Sequence, residues 1–387
     1  MTKRYCIFIT ALFCAFIGVF LVANAVSPDR TFSEVENRNL EQLPTVDFGT
    51  PEKLFRDGNF FNGQFMRDFE TYTTDQFIGR DAWVDLKART ERALGKKENN
   101  NVYFADNDTL ITRFDQPAAD RVTENLNYVN KFVENVDIPV VFSLIPTQAC
   151  IWADRLPEGA PNASQTDLMA QAQGAVTGAA WADVYTPLME HKDEDIFYRT
   201  DHHWTSLGAY YGYTGLAQAL GYEPVSLDSY TETVRSTEFY GTVFSSSGVR
   251  WVSPDTISTY VPDTGITVVS HTYDNKGNPV EEPRSLYVES FLNVKDKYSM
   301  FLGGNQSLGV VTTPNTDKPK LLIIRDSYTD SLVPFLTPHF SEIHLIDLRY
   351  YKLSIQEYIQ QNEIDQALVL YSVPNFVTDS NLLWIAR

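Results

Sequence analysis

The chain has 387 residues, 43% of them hydrophobic and 13% aromatic, enough apolar content for a sizeable core and too much for a generally disordered chain. Its formal net charge is −19, which argues against a nucleic-acid partner, since phosphates must be met with Lys and Arg. The same charge argues against an electrostatic grip on anionic lipids.

The chain opens with Lys3 and Arg4, followed by an uncharged apolar run over residues 5–26. About 20 such residues cross a bilayer as a helix, and cations ahead of them keep the N-terminus cytoplasmic and put the remainder outside. The run is longer than a signal-peptide core of about 7–15 residues, which favours a retained single-pass anchor over residues 1–26. Ala23-Asn24-Ala25 also fits a cleavage site, and processing after Ala25 would release a secreted protein. Cys6 and Cys14 fall in this run and Cys150 stands alone beyond it, so neither an internal disulfide nor a cysteine-based zinc site is expected.

Residues 27–53 are polar without sustained periodicity and read as an extended leader. Apolar spacing turns helical over 55–94, through Phe61, Phe65, Phe69, Tyr72, Phe77, Trp83 and Leu86. The stretch NNNVYFADNDTLIT (99–112) gives two short strands about an Asn-Asp turn. Thus residues 27–100 form an extended and helical N-terminal region, and 101–387 the main domain. In that domain helical spacing over 120–136 precedes PVVFSLI (139–145), a continuous apolar run of the kind expected for a strand buried on both faces. A helix over 164–176, a short strand at WADVY and a helix over 206–220 follow. Residues 222–319 are rich in Thr, Ser, Gly, Pro, Val and Tyr and read as a β-rich insertion. Strands at LLII (321–324), IHLID (343–347) and ALVLYSV (367–373), with a helix near 354–361, complete the pattern. Strands alternating with helices predict an α/β fold with a mostly parallel sheet covered on both faces.

Two stretches carry candidate chemistry. In RDS, Ser327 stands just past a buried strand, at the carboxyl edge where open α/β sheets bind ligands. Free N–H groups at the start of the following helix could stabilise an oxyanion there. The alternative is that Asp326 or Ser327 only caps that helix. In FYRTDHHWTS, Asp201 and His203 could serve as orienting acid and general base for a serine. The alternative is a packed His203 beside a Thr205 helix cap. His202 is read as a peripheral residue or a substrate contact, and Trp204 as packing. A metal site needs three or four ligands. His202 and His203 are neighbours whose side chains would diverge in extended chain, and His191, His271, His339 and His344 form no ligand pattern with them. No metal and no cofactor is assigned. In GGN, Gly303, Gly304 and Asn305 offer backbone and amide donors or a simple turn. Arg349 and Tyr350, at the end of IHLID, could shape a cleft or contact a sugar.

Seven motifs occur in order: TFSEVENRNL, YTTDQFIGRDAW, SLIPTQACIWADRLP, YRTDHHWT, KYSMFLGGN, RDSYTDSLVPFL and LIDLRYY. Together they resemble the DHHW family of bacterial exported proteins, itself similar to the alginate O-acetyltransferase proteins of the SGNH-hydrolase superfamily. The resemblance implies an SGNH-hydrolase-like three-layer sandwich and a triad of Ser327, His203 and Asp201, with the Asp-x-His pair ahead of the nucleophile. Arg325 departs from the Gly of the usual Gly-Asp-Ser block, and the Asp-x-His spacing is the acetyltransferase form. Implied with it is an exported enzyme that acetylates hydroxyls of a surface or secreted polysaccharide, supplied by a membrane-bound O-acyltransferase partner. A carbohydrate acetyl esterase and a non-catalytic glycan-binding or assembly protein are the rival readings.

Overall fold

The computed structural model of the protein describes residues 2–45, 63–273 and 279–387. It divides into two compact units, Met1–Lys96 with Gly248–Arg250, and Lys97–Ser247 with Trp251–Arg387.

In the first unit the apolar run forms one helix, Lys3–Val26, long and apolar enough to cross a membrane. The expected long helix over 55–94 lies outside the described residues up to residue 62. Beyond that it is two helices, Gln64–Asp75 and Arg80–Ala93. They are separated at Gly79, whose φ of 68° lies in the left-handed region that a glycine enters without steric cost. The leader is tied to these helices by charge. Asp75 is buried, accepts two hydrogen bonds from the Arg38 guanidinium at 2.8 and 2.5 Å, and accepts a third from the Glu41 N–H at 2.9 Å. Arg38 belongs to TFSEVENRNL and Asp75 to YTTDQFIGRDAW, so two of the seven motifs meet in one ion pair.

The second unit is built on an eight-stranded sheet. We label its strands in chain order: β1 (Val140–Ile145), β2 (Ala180–Trp181), β3 (Thr267–Tyr273), β4 (Pro279–Arg284), β5 (Leu308–Thr312), β6 (Lys320–Arg325), β7 (Glu342–Ile346) and β8 (Gln366–Ser372). Their spatial order is β4-β3-β5-β7-β6-β8-β1-β2. Neighbours from β7 to β2 pair in parallel, whereas β4, β3, β5 and β7 pair antiparallel. The sheet is therefore mixed, four of its seven pairings parallel and three antiparallel, where the sequence predicts a mostly parallel one. The difference arises in 222–319: three of its strands extend the main sheet, and only Thr233–Phe239 and Asp255–Thr259 form a separate two-stranded ribbon. Every residue of β1 is buried, as are the LLII run of β6 and all but the first residue of β7 and of β8. This is why those runs lack alternation in the sequence. The hairpin expected in 99–112 pairs Val102–Ala105 with Thr109–Thr112, and Asn107 and Asp108 take the positive φ values of its turn.

Candidate active site

β6 lies between β7 and β8, and the chain leaves it first toward one neighbour and later returns to the other. Its C-terminal end is thus a topological switch point, where open sheets leave a crevice. Asp326 and Ser327 emerge there. Asp326 Oδ1 accepts from the Tyr328 N–H at 3.1 Å. Its Oδ2 accepts from Ser372 N–H at 2.8 Å, Ser372 Oγ at 2.7 Å and Asn375 Nδ2 at 2.7 Å. Asp326 is therefore the cap, and it pins the turn to the end of β8, leaving the Ser327 side chain uncommitted to capping. The segment it caps is a five-residue 3-10 turn, Ser327–Ser331, followed by the short Val333–Leu336 helix, not the full helix expected. As first residue of that turn, Ser327 has an N–H that no carbonyl of the turn can accept.

The Phe197–Trp204 stretch closes on itself through a bridge between its two ends, so residues 201–203 form a bend. The bend brings the His202 and His203 rings to 3.8 Å, where extended chain would have sent them to opposite faces. His203 Nδ1 and Asp201 Oδ1 are 2.5 Å apart, and His203 Nε2 and Ser327 Oγ are 2.7 Å apart. With Nδ1–H donating to the carboxylate, Nε2 is left to accept the serine hydroxyl. Asp201 Oδ2 accepts from Thr242 N–H at 2.7 Å and Thr242 Oγ1 at 2.9 Å. Burial opposes charge on Asp201, but His202, His203 and the Thr242 N–H hold its carboxyl well below the usual carboxylate range.

The helix after the bend explains the rest of the motif. Thr205 is its cap, accepting from the Gly208 N–H at 3.2 Å. Trp204 is completely buried and lies on Gly208 and Gly212, where an added Cβ would come within 2.9 and 2.6 Å of its side chain. Its indole N–H donates to Tyr328 O at 2.8 Å and to Ser331 Oγ at 3.0 Å. The Tyr328 hydroxyl donates back to the His202 carbonyl. The two motifs are thus stitched together on both sides of the Ser327–His203 contact.

The remaining expected residues form a second group. Asn305 Oδ1 accepts from Arg349 Nη2 at 3.0 Å, and Arg349 pairs with Asp347 at 2.6 Å. Tyr350 is half exposed beside the Arg349 guanidinium, 5.4 Å from its ring centroid. Gly303 and Gly304 both have φ of 80°, so GGN is a tight left-handed turn. None of Gly304, Asn305, Arg349 and Tyr350 has a hydrogen bond to Ser327 or His203. His202 forms a wall of the site, with Nδ1 2.6 Å from Thr242 Oγ1. Asp201, His202 and His203 offer possible ligand atoms within 4.8 Å of one another, and the His203 nitrogens, His202 Nδ1 and both Asp201 oxygens are engaged in the hydrogen bonds above.

Three residues at the site, Tyr298, Gly241 and Asp330, escaped the sequence reading. The Tyr298 ring stacks on His203 at 3.7 Å and 7°, and its hydroxyl lies 3.1 Å from both Ser327 O and Ser331 Oγ. With His202 on the other side, the His203 imidazole is held between two rings. Gly241 lies against Asp201, whose Cβ and Oδ2 are each 2.2 Å from where a Cβ on residue 241 would sit. Asp330 is buried and lies 3.0 Å from the equally buried Arg325. Tyr298 lies in the quoted KYSMFLGGN motif and Asp330 in RDSYTDSLVPFL, whereas Gly241 lies in none of the seven.

A Ser–His–carboxylate chain at a sheet switch point is an arrangement that serine-dependent acyl chemistry could use. A family model described as DHHW protein matches residues 167–346, which bears out the resemblance read from the motifs. The crystal structure of a DHHW family protein from Eubacterium siraeum DSM 15702 is similar, with a TM-score of 0.63 and 27% identity, covering 74% of this chain and 95% of that one. Bacillus cereus PatB1, solved with a sulfonyl adduct, shares the fold at a TM-score of 0.60 and 19% identity, covering 74% of this chain and 98% of its own. "Probable alginate O-acetylase AlgJ" of Pseudomonas syringae pv. tomato is 26% identical over 161 residues. That match spans 38% of this chain and only 40% of the relative's length.

Proposed function

We propose that the protein is an exported, membrane-anchored O-acyltransferase that moves an acetyl group onto a hydroxyl of a cell-surface or secreted polysaccharide. The observation that carries this reading is the unbroken chain from Ser327 Oγ through His203 to Asp201, at 2.7 and 2.5 Å. The likeness to a relative named as an alginate O-acetylase points to transfer onto a glycan. In the fold, β6→β7 and β7→β8 step in opposite directions, and right-handed crossovers lay their helices on opposite faces, which supports an SGNH-like three-layer sandwich.

In this mechanism Ser327 Oγ attacks the acyl carbonyl while His203 Nε2 takes its proton. Asp201 holds the imidazole in the tautomer that can do so. His203 returns the proton to the leaving group, and an acyl-Ser327 ester remains. A sugar hydroxyl, deprotonated by the same nitrogen, then attacks that ester and regenerates the serine. The Ser327 N–H is one oxyanion donor. The Asn305 amide Nδ2 is the candidate for a second, since its Oδ1 is already taken by Arg349. With the domain outside the cytoplasm, acetyl-CoA is not the direct donor, and a membrane-bound O-acyltransferase partner supplies the acyl group.

The test is incubation of the detergent-purified full-length chain with an activated acetyl ester, with and without oligosaccharide, followed by product analysis and intact-protein mass. An acetyl adduct absent from Ser327→Ala, with acetylated sugar formed by wild type, is the expected result. Acetate release with no sugar product would turn the assignment to an esterase. Equal behaviour of wild type and Ser327→Ala would end the catalytic reading.

A further inference from the structure

We propose that the Lys3–Val26 helix is retained after export, and that the two helices following it dock into the outer-leaflet interface of the bilayer through exposed aromatic and aliphatic side chains. The inference rests on the membrane-anchored reading above and adds a second membrane contact to it.

The first observation is that the apolar helix is packed within its unit. Phe20 stacks on Phe77 at 5.6 Å and 8°, and lies 6.0 Å from Trp83. Asn24 Oδ1 accepts the Ile78 N–H at 2.7 Å. Cleavage after Ala25 would remove both partners and strip the cover from Phe77.

The second observation is the level of these contacts. With Lys3 at the inner surface and a rise of about 1.5 Å per residue, Phe20 lies about 26 Å and Asn24 about 32 Å along the helix. The hydrocarbon core is about 30 Å thick. Phe77, Ile78 and Trp83 therefore stand at the outer edge of the hydrocarbon, the depth at which Trp and Tyr are enriched.

The third observation is that an apolar stripe runs on from this point. Trp83, Leu86, Thr90 and Leu94 recur at helical spacing, and Trp83, Leu86 and Leu94 are 44, 52 and 81% exposed. The preceding helix presents Met66 and Phe69, 61 and 38% exposed, on the same face as Phe65 and Tyr72. Lys87 borders the stripe, while Asp85 and Arg89 pair at 2.8 Å to one side. An exposed apolar helix face with a charged border is the form that can seat in a membrane interface. The bilayer is the occupant assigned because the stripe begins at the ring that touches the anchor.

The experiment uses the full-length chain in phosphatidylcholine nanodiscs carrying lipids brominated near the headgroup end of their acyl chains. Intact mass is read alongside tryptophan emission. Trp83 is the exposed tryptophan among the described residues; Trp152 and Trp204 are buried and Trp181, Trp251 and Trp384 partly buried in the second unit, so we expect bromolipid quenching in wild type that is largely lost in Trp83→Phe, and recovered when Leu94→Trp is added to that variant. A mass lacking residues 1–25 would overturn the proposal together with the anchor reading. A retained anchor with equal quenching in wild type and Trp83→Phe would overturn the docking alone and turn the stripe toward a protein partner. Failure of Leu94→Trp to restore quenching would likewise end the interfacial assignment.

Discussion

Replacing Gly241 with alanine tests the site through a residue that carries no chemistry. A Cβ there would lie 2.2 Å from both Asp201 Cβ and Asp201 Oδ2. Ordinary contact begins near 3.4 Å, so Asp201 or the Gly241 backbone must yield by about 1.2 Å. Asp201 is buried, with Oδ1 2.5 Å from His203 Nδ1 and Oδ2 on the Thr242 N–H at 2.7 Å. A shift of that size takes both contacts beyond hydrogen-bonding distance. Misplacement by about 1 Å in a catalytic array costs on the order of 100-fold in rate, and overpacking costs about 1–3 kcal/mol of stability. We therefore expect Gly241→Ala to lose about 100-fold in kcat for hydrolysis of an activated acetyl ester, with KM little changed. Thermal denaturation should show a fold that is weakened but intact at assay temperature. Activity within about three-fold of wild type, with a normal melting temperature, would refute the dependence of the site on Asp201 placement.

Two further tests concern the surroundings of the relay. An aromatic pair is worth about 0.5–1.5 kcal/mol, so Tyr298→Leu, which removes the ring stacked on His203, should lower kcat by roughly 2–12-fold. Tyr298→Phe keeps the ring and should retain most activity. Equal loss in both variants would assign the effect to the Tyr298 hydroxyl. Burial raises the Asp330 carboxyl to about 7 against the pull of Arg325, whereas in the unfolded chain it titrates near 4. Between those values the folded chain holds a proton that the unfolded chain has lost, so stability falls as pH rises through this window. The slope from this group is at most about 1.4 kcal/mol per pH unit. Asp330→Asn should flatten the dependence of denaturant midpoints between pH 4.5 and 6.5, and parallel wild-type and variant curves would refute it.

Much of the fold was legible because burial leaves a mark on composition. The runs VVFSLI, LLII and ALVLYS lack polar alternation because both faces of β1, β6 and β8 are covered. Residues 222–319 were read as β-rich, but whether their strands form a separate layer or extend the main sheet depends on long-range pairing. Local composition cannot specify that pairing: β5 joins β7 across 29 residues of chain between Thr312 and Glu342. The two histidines misled for a related reason. A period of two applies to extended chain, whereas residues 201–203 bend between Phe197 and Trp204, which bridge each other, and Gln148 Nε2 donates to the Tyr198 and Asp201 carbonyls.

By itself the sequence determined which residues could perform the chemistry. Ser327 at a strand end and the Asp201–His203 pair were recognisable because nucleophile, base and acid need particular residue types at short local spacings. It also determined that an apolar segment long enough to span a bilayer precedes an α/β domain. Tertiary structure alone decided that these two motifs, 124 residues apart, meet within hydrogen-bonding distance. It likewise decided that Asp326 does the capping, that Tyr298 covers His203 and that Gly241 makes room for Asp201. Such contacts depend on the close packing of segments distant in sequence, which local residue patterns do not encode.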